Sequence, residues 1–458
     1  MSGSSETRVI VRHAGTVLAG QMAIVSFSVA DTLIAGQYSQ ASLAALSIGS
    51  SIYISIYVAL NGMMQALLPV WAQLRGAEQF TELGRSVRQA LYLCTAAIAL
   101  GVLALIFPDP WLEWTQVPEI LRDEVRRYLL VLAWALAPSL LFRMYSTFNQ
   151  SLGMPRLVTW LQIGALGVKI PLSMALTFGV FGLPAQGAVG CAVATLIVNC
   201  LMLSMGLYLL RTQEVYRIYK LWRPMERLDL GTLAKFLRQG VPAGLSIMVE
   251  ITSFTLMALF IARMGVSASA GHQIAATAAG VLYMIPLALG IASSARVGFW
   301  LGANQPDQVR RAMANGLVLS AATAVVCSAA LWLGKELLAK AFTRDADVAL
   351  IAIGLLGWVA LYHFFDAIQT VCAFLLRCFR ITLIPLLIYS IILWGIGLGG
   401  GYLWAYDGMA SWPALRHPSS FWIASCAALG VVTLLFLGLT YKAAKNRAAW
   451  PSDTPIKS

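Results

Sequence analysis

Charged residues are scarce in this sequence. Asp, Glu, Lys and Arg make up only 11% of the 458 residues, while hydrophobic residues make up 59% and the mean hydropathy is +0.75. A soluble domain carries about 25% charged residues. The composition therefore excludes an ordinary soluble protein and predicts an all-α polytopic membrane protein.

The sequence also lacks the motifs of several enzyme classes. It contains no GxxxxGK[ST] phosphate-binding loop, no GxSxG and no HExxH. A membrane-embedded transferase would need a loop rich in His and Asp, but the predicted outer loop 108–124 contains acids without His. We therefore expect a protein that is not an enzyme, has no cofactor and does not hydrolyse ATP itself.

Histidine and cysteine are too few and too scattered to predict a metal site. The seven cysteines show no CxxC spacing, and most lie inside apolar runs, which is typical of small buried residues. His363 and Asp366 share a helical face, but no further His or Cys completes a site at familiar spacing. We expect neither a disulfide framework nor a bound transition metal.

The sequence contains twelve apolar runs, each long enough for a helix to cross about 30 Å of hydrocarbon. A polar stretch over 211–238 separates the first six runs from the last six. The runs are 14–37, 43–71, 89–107, 126–147, 157–181, 186–210, 237–264, 270–299, 313–334, 348–376, 381–405 and 419–441.

The two halves of the chain resemble each other. At an offset of 226 residues, Gly76-Ala77-x-Gln79 coincides with Gly302-Ala303-x-Gln305, and Tyr57 coincides with Tyr283. Because six spans separate the copies, both begin on the same side of the membrane. We predict two six-helix lobes related by pseudo-two-fold symmetry along the membrane normal. The N-terminal lobe covers 1–212, the cytoplasmic linker 213–236, and the C-terminal lobe with a cytoplasmic tail 237–458.

Most of the 32 Lys and Arg residues fall on one side of these spans. That side includes both ends of the chain, the linker, Arg143 and Arg377. Because cytoplasmic loops are enriched in Lys and Arg, both termini are predicted to be cytoplasmic. The net charge of +12 is explained by the Lys and Arg residues of these cytoplasmic segments. We therefore expect membrane lipid, and no nucleic acid, as a partner.

Four ionisable residues lie deep inside predicted spans: Asp31, Lys169, Glu250 and Asp366. Such residues are costly in hydrocarbon, face cavities, and bind or relay ions. Glu250 and Asp366 both belong to the second half, and two carboxylates in one low-dielectric lobe must share a proton, bind a cation or find a basic partner. Cation or proton coupling is the function that this pair predicts. A structural hydrogen-bonded role and acid–base catalysis are the alternatives.

The remaining deep residues leave alternatives open. Lys169 either pairs with Asp31, the other deep charge of its half, or faces a water-filled cavity. Asp31 either has a function, or is a structural residue whose carboxylate accepts hydrogen bonds from neighbouring hydroxyl groups. Tyr283, in Tyr283-Met-Ile-Pro286, either holds a cation against its ring or packs in the core.

Several segments together resemble the multidrug and toxic compound extrusion (MATE) family, in its NorM-like bacterial branch. The resemblance covers about residues 8–445. It is carried by Val29-Ala-Asp31-Thr-Leu-Ile-Ala-Gly36, Leu43-Ala-Ala-Leu46, Gly240-Val-Pro-Ala-Gly244 with Glu250, Gly271-His-Gln-Ile-Ala275, Tyr283-Met-Ile-Pro-Leu287 and Phe365-Asp366-Ala-Ile-Gln369.

The resemblance implies two six-helix bundles around a central cleft, in a monomer of the bacterial inner membrane. It implies antiport, in which entry of Na⁺ or H⁺ drives export of amphipathic, often cationic compounds. Glu250, Tyr283 and Asp366 match the family's cation-binding region, and Asp31 matches the acid of the first lobe. The family's Asn-x-Pro-Leu-Asn pattern reads Lys169-Ile-Pro-Leu-Ser173 here, so both amides are replaced and a cation is added.

A second transporter class is the alternative. Flippases of lipid-linked oligosaccharides or polysaccharides belong to the same wider superfamily, commonly add spans and present basic cavities. Twelve spans and three deep acids argue against that class, whereas Lys169 argues for it.

Overall fold

The computed structural model describes residues 3–114, 119–180, 184–408, 413–446 and 450. In this part of the chain the regular secondary structure is helical, and twelve helical segments are long and apolar enough to cross a membrane. The predicted all-α polytopic fold is therefore confirmed. The predicted tail beyond residue 446 lies, apart from residue 450, outside the described residues.

The helices are numbered along the chain. The second span combines α2 with α3, the eleventh combines α13 and α14 with a π-helix over Leu393–Gly400, and α5 is a short helix outside the spans. They are α1 (Gly3–Tyr38), α2 (Gln40–Gln65), α3 (Leu68–Gly76), α4 (Phe80–Ile106), α5 (Asp109–Trp114), α6 (Glu119–Ser151), α7 (Arg156–Phe178), α8 (Ala188–Thr212), α9 (Leu230–Ala262), α10 (Val266–Gly302), α11 (Pro306–Phe342), α12 (Ala346–Cys378), α13 (Leu383–Ile392), α14 (Gly401–Tyr406) and α15 (Ser419–Lys445).

Several helices are longer than the apolar runs that predicted them. The α10 helix has 37 residues, and α9 begins at Leu230, before the predicted start of its span at 237. Asp229 explains the second difference, because its Oδ1 accepts hydrogen bonds from the backbone N–H groups of Gly231 (2.9 Å) and Thr232 (3.2 Å). Hydropathy detects only the part of a helix that lies in hydrocarbon, whereas capping extends the helix into the polar region.

The chain divides into two compact units. The first unit is Gly15–Gly244, and the second unit is Met1–Ala14 together with Leu245–Ser458. In the core of the first unit, Trp71 packs edge-on against Phe148 with ring centroids 6.0 Å apart. In the core of the second, Phe254 packs in the same way against Trp422, also at 6.0 Å.

The sequence repeat is visible in the backbone where the second and eighth spans end. Glu78 and Asn304 both adopt left-handed conformations, with φ of 59° and 51°. The turns also share their hydrogen bonds: Ala77 N–H donates to Gln73 O and Ala303 N–H to Phe299 O, both at 2.9 Å. The matching polar segments therefore form matching helix-ending turns.

The segment between α8 and α9 packs against α4. Arg88 donates to the carboxylate of Glu226, with Nε 3.2 Å from Oε2, and to the carbonyl of Lys220 at 2.7 Å. The hydrogen bonds from Arg88 hold the pKa of Glu226 below its ordinary value. A Cβ atom on Gly84 would lie 1.8 Å from the carbonyl oxygen of Tyr219, so glycine is required for this close approach.

Glu6 ties the first turns of α1 to α10 within the second unit. Its buried carboxylate accepts two hydrogen bonds from Arg296, both at 2.7 Å, and a third from Trp300 Nε1 at 3.1 Å. Glu6→Gln should lower stability by about 1.5–3 kcal/mol, because Arg296 loses its charged acceptor. Thermal unfolding in detergent measures this as a lower Tm. Exposed Glu336→Gln is the control, and an equal Tm for the two variants would contradict the prediction.

Candidate functional site

Glu250 lies within α9 in a segment held by the π-helix. Its side chain is partly exposed. The carbonyl of the preceding residue, Val249, accepts a hydrogen bond of 3.2 Å from Trp394 Nε1, and Trp394 lies in the π-helix over Leu393–Gly400. A π-helix is rare and frequently accompanies a functional site. Trp394 therefore anchors the π-helix to the backbone beside Glu250.

Asp366 is buried in α12, and a chain of hydrogen bonds from uncharged side chains positions its carboxylate. Gln369 Nε2 donates to Asp366 Oδ1 at 3.0 Å and lies 3.2 Å from Thr370 Oγ1. The hydroxyl of Tyr389 donates in turn to Gln369 Oε1. Gln369 therefore fixes one carboxylate oxygen, and Tyr389 fixes the orientation of the Gln369 amide.

The structure brings three of the candidate residues together in the second unit. Glu250 is within electrostatic range of Asp366, and Tyr283 is within range of both carboxylates. Tyr362 and Tyr389 also interact electrostatically with both acids. The result is a group of two acids and three tyrosines that interact electrostatically, in which Glu250 and Tyr283 have partly exposed side chains.

The surroundings of the acid pair decide what it can do. Neither Glu250 nor Asp366 makes an ion pair with another described residue. Two carboxylates at such a site cannot both stay ionised without a compensating charge. A proton, a small cation and the guanidinium of Arg377, which lies within electrostatic range of Glu250, are the charges that can compensate such a pair.

Sequence reasoning did not assign two residues of this cluster. Gln369 follows Asp366 at i,i+3, so helical spacing alone places it beside the acid. Arg377 was counted with the cytoplasmic segments, but α12 continues to Cys378 and the Arg377 side chain is only 8% exposed. Its guanidinium lies 4.5 Å from the ring centroid of Phe374 and within electrostatic range of Glu250.

The first unit holds a different arrangement, an ion pair between Asp31 and Lys169. Lys169 Nζ lies 2.9 Å from Asp31 Oδ1, and the lysine side chain is only 1% exposed. The same Nζ donates to the carbonyl of Cys191 at 2.9 Å and to Thr195 Oγ1 at 2.8 Å. Ser173 Oγ donates to Asp31 Oδ1 at 3.0 Å. Three acceptors therefore match the three N–H donors of the ammonium group.

The buried histidines lie apart from any cluster of metal ligands. His272 Nδ1 accepts a hydrogen bond from Trp422 Nε1 at 3.3 Å, which places it in the core of the second unit. Over the described ranges, no group of three or more His, Cys, Asp or Glu side chains is placed to hold a metal ion.

The MatE family model matches residues 17–175 and 242–403. Among curated relatives, the chain is similar to a "Probable multidrug resistance protein NorM" of Aromatoleum aromaticum, with 38% identity over 432 residues, covering 93% of this chain and 92% of the relative. It is also similar to the protein of the same name from Neisseria meningitidis serogroup B, with 30% identity over 406 residues and 88% of each chain covered.

Solved structures show the same fold at low sequence identity. The eukaryotic MATE transporter AtDTX14 superposes with a TM-score of 0.84 at 20% identity, covering 98% of this chain and 99% of that one. A MATE protein in the straight conformation superposes with a TM-score of 0.86 at 14% identity, covering 96% of each chain.

Proposed function

Because the chain belongs to the MatE family, in its NorM-like branch, we propose that it is a multidrug efflux antiporter. It would exchange Na⁺ or H⁺ for amphipathic, often cationic compounds by alternating access. Its place would be the bacterial inner membrane, with both termini in the cytoplasm. The observation that carries the proposal is the acid pair of Glu250 and Asp366, with Tyr283 beside it.

The pair supplies a physical basis for exchange. When the two carboxylates share one proton they carry a single negative charge, which an entering Na⁺ or H⁺ would neutralise, and the helices that carry them, α9 and α12, would repack around the neutral pair. A cationic substrate would then lose its electrostatic attraction to the site. Exchange requires such a difference in substrate affinity between the ion-bound and ion-free states.

The proposal gives Asp31 a role because its carboxylate is paired with Lys169. The ammonium group already occupies the position of a cation beside this carboxylate, at 2.9 Å. We propose that protonation of Asp31 releases the ammonium, so that the first unit responds to pH through a bound side chain. A free metal cation would have to displace Lys169 before it reached Asp31.

The flippase alternative loses its main support. Lys169 was the residue that argued for a flippase, but its ammonium group is buried and donates to three protein acceptors. It offers no free donor to a phosphate.

Transport by purified protein in liposomes tests the proposal. Vesicles are loaded with a fluorescent organic cation and given an inward gradient of Na⁺ or of H⁺, each with an ionophore control that dissipates it. We expect dye movement to require one of the two gradients and to stop when that gradient collapses. Gradient-independent movement of a lipid-linked saccharide, without dye movement, would favour the flippase.

A further inference from the structure

Arg143 is a cation inside the first unit that the proposed function does not use. It lies in α6, about two turns before the helix ends at Ser151, and its side chain is only partly buried. Its Nε donates to Asn61 Oδ1. Asn61 lies roughly midway along the span Gln40–Gly76, so the guanidinium reaches the interior of the bundle.

The partners of Arg143 are neutral. No described carboxylate forms an ion pair with it, and its two Nη atoms have no hydrogen-bond partner among the described residues. A guanidinium carries five N–H donors in a planar fork that matches a carboxylate. Keeping such a group at this depth without a counter-ion is costly, and intramembrane charges of this kind mark substrate or ion pathways.

An aromatic pair stands next to this guanidinium. Tyr57 is within electrostatic range of Arg143 and stacks on Tyr53, with ring centroids 5.6 Å apart and planes 11° from parallel. Both rings are partly exposed. A flat aromatic molecule that stacked on them would bring a substituent within reach of the free Nη donors.

The same side of α2 carries four polar residues together with the exposed Ile54. Ser47, Ser50, Tyr57 and Asn61 follow one another at helical spacing, and each is exposed or partly exposed. The Ser50 hydroxyl donates to the carbonyl of Ser47 at 3.2 Å, so the partly exposed Tyr57 and Asn61 are the residues that indicate contact with water or substrate on this face.

The repeat shows that the second unit has no cation at the position equivalent to Arg143. At the offset of 226 residues, neutral Gln369 stands at the position of Arg143. The same offset keeps an aromatic residue in both units, because Tyr57 corresponds to Tyr283. In the first unit a tyrosine therefore lies near a guanidinium that forms no ion pair with a described carboxylate, whereas in the second unit Tyr283 lies within electrostatic range of two carboxylates and of Arg377.

We propose that Arg143, Asn61 and Tyr57 form a subsite for the carboxylate of an aromatic substrate. The guanidinium Nη atoms donate to the carboxylate, Asn61 holds the guanidinium through Nε, and Tyr57 supports the aromatic body. The inference rests on the proposed function as an exporter. It adds aromatic acids and zwitterions to the cationic compounds that the acid pair attracts.

Two dyes that share one chromophore test the subsite. One is a xanthene dye with a free benzoate, and the other is its methyl ester, which lacks the negative charge. In the proteoliposome assay, wild type is expected to export both. Arg143→Gln should reduce export of the acid by about tenfold or more and leave the ester unchanged, since only the acid has a carboxylate for the guanidinium to bind. Arg143→Lys should fall between, because lysine keeps the charge without the fork.

Binding measurements and a control variant separate recognition from folding. Fluorescence anisotropy in detergent should show a Kd about tenfold higher for the acid in Arg143→Gln, with the Kd of the ester unchanged. Exposed Arg310→Gln makes the same chemical change elsewhere and should alter neither dye.

The outcomes distinguish failure of the proposed exporter function from failure of the carboxylate subsite. If wild type moves neither dye, the exporter function itself fails. If wild type exports the ester but not the acid, only the subsite is overturned. An equal loss of both dyes in Arg143→Gln would assign the residue a structural role and overturn the subsite, as would unchanged export of both.

Discussion

Replacing Glu250 by Gln, or Asp366 by Asn, is expected to reduce ion-driven efflux by at least about tenfold without reducing the amount of folded protein. Each change removes one of two acids that compensate an entering cation, while the side chain keeps its shape. The amide oxygen introduced by Asp366→Asn would still accept a hydrogen bond from Gln369, as Asp366 Oδ1 does at 3.0 Å. The coupling should therefore disappear while the packing of the second unit remains.

Two readouts make this prediction sharp. In proteoliposomes, the variants should show dye transport that no longer responds to the Na⁺ or H⁺ gradient. In detergent, binding of the cationic dye should weaken when the coupling ion is added to wild type but not to either variant. A loss of expression would not produce that second result, because it is measured on purified folded protein.

Matched controls make the same chemical changes at exposed positions of the second unit. Glu336→Gln corresponds to the change at Glu250, and Asp347→Asn lies on the same helix, α12, as Asp366. Both controls should transport like wild type. Full ion-driven efflux in both Glu250→Gln and Asp366→Asn would remove the acid pair from the mechanism.

The second large effect is expected at the buried ion pair of the first unit. Asp31→Asn leaves the Lys169 ammonium buried without its counter-ion, and Lys169→Met leaves the carboxylate without its cation. Breaking a buried pair on one side costs about 3–5 kcal/mol, whereas replacing both partners is often close to neutral. The double variant should therefore be more stable than either single variant.

Unfolding of the purified protein in detergent, followed by tryptophan fluorescence, measures the three variants as a double-mutant cycle. Thr195→Val is the control, because it removes one neutral acceptor of Lys169 Nζ, at 2.8 Å, and should cost only about 1 kcal/mol. Additive losses in the double variant would show that Asp31 and Lys169 do not stabilise each other.

The acid pair shows which residues of the site can be identified from the sequence alone. A carboxylate in an uncharged run long enough to span a membrane identifies Glu250 without any structure, because hydrocarbon makes such a residue costly. Asp366 follows from the same argument. The sequence does not reveal that Gln369 and Tyr389 form a hydrogen-bonded chain behind Asp366, since that chain joins α12 to α13 across a tertiary contact.

The two arginines show the limit of topology rules. Counting Lys and Arg residues by segment assigned Arg143 and Arg377 to the cytoplasmic side, because both lie near the ends of apolar runs. The helices extend beyond those runs, so one guanidinium reaches Asn61 inside the first unit and the other packs on Phe374. Helix extension depends on capping and packing that hydropathy does not measure.

The sequence by itself determined the membrane fold, the twelve spans, the internal repeat and the deep ionisable residues. The repeat follows from matching residues at one offset, and the other properties follow from the free energy of transferring each side chain from water to hydrocarbon, which depends little on its neighbours. Only the tertiary structure decided that Lys169 donates to three acceptors, that Trp394 of the π-helix binds the backbone next to Glu250, and that Arg143 donates to Asn61. Those outcomes depend on contacts between residues far apart in the chain, and packing alone brings such residues together.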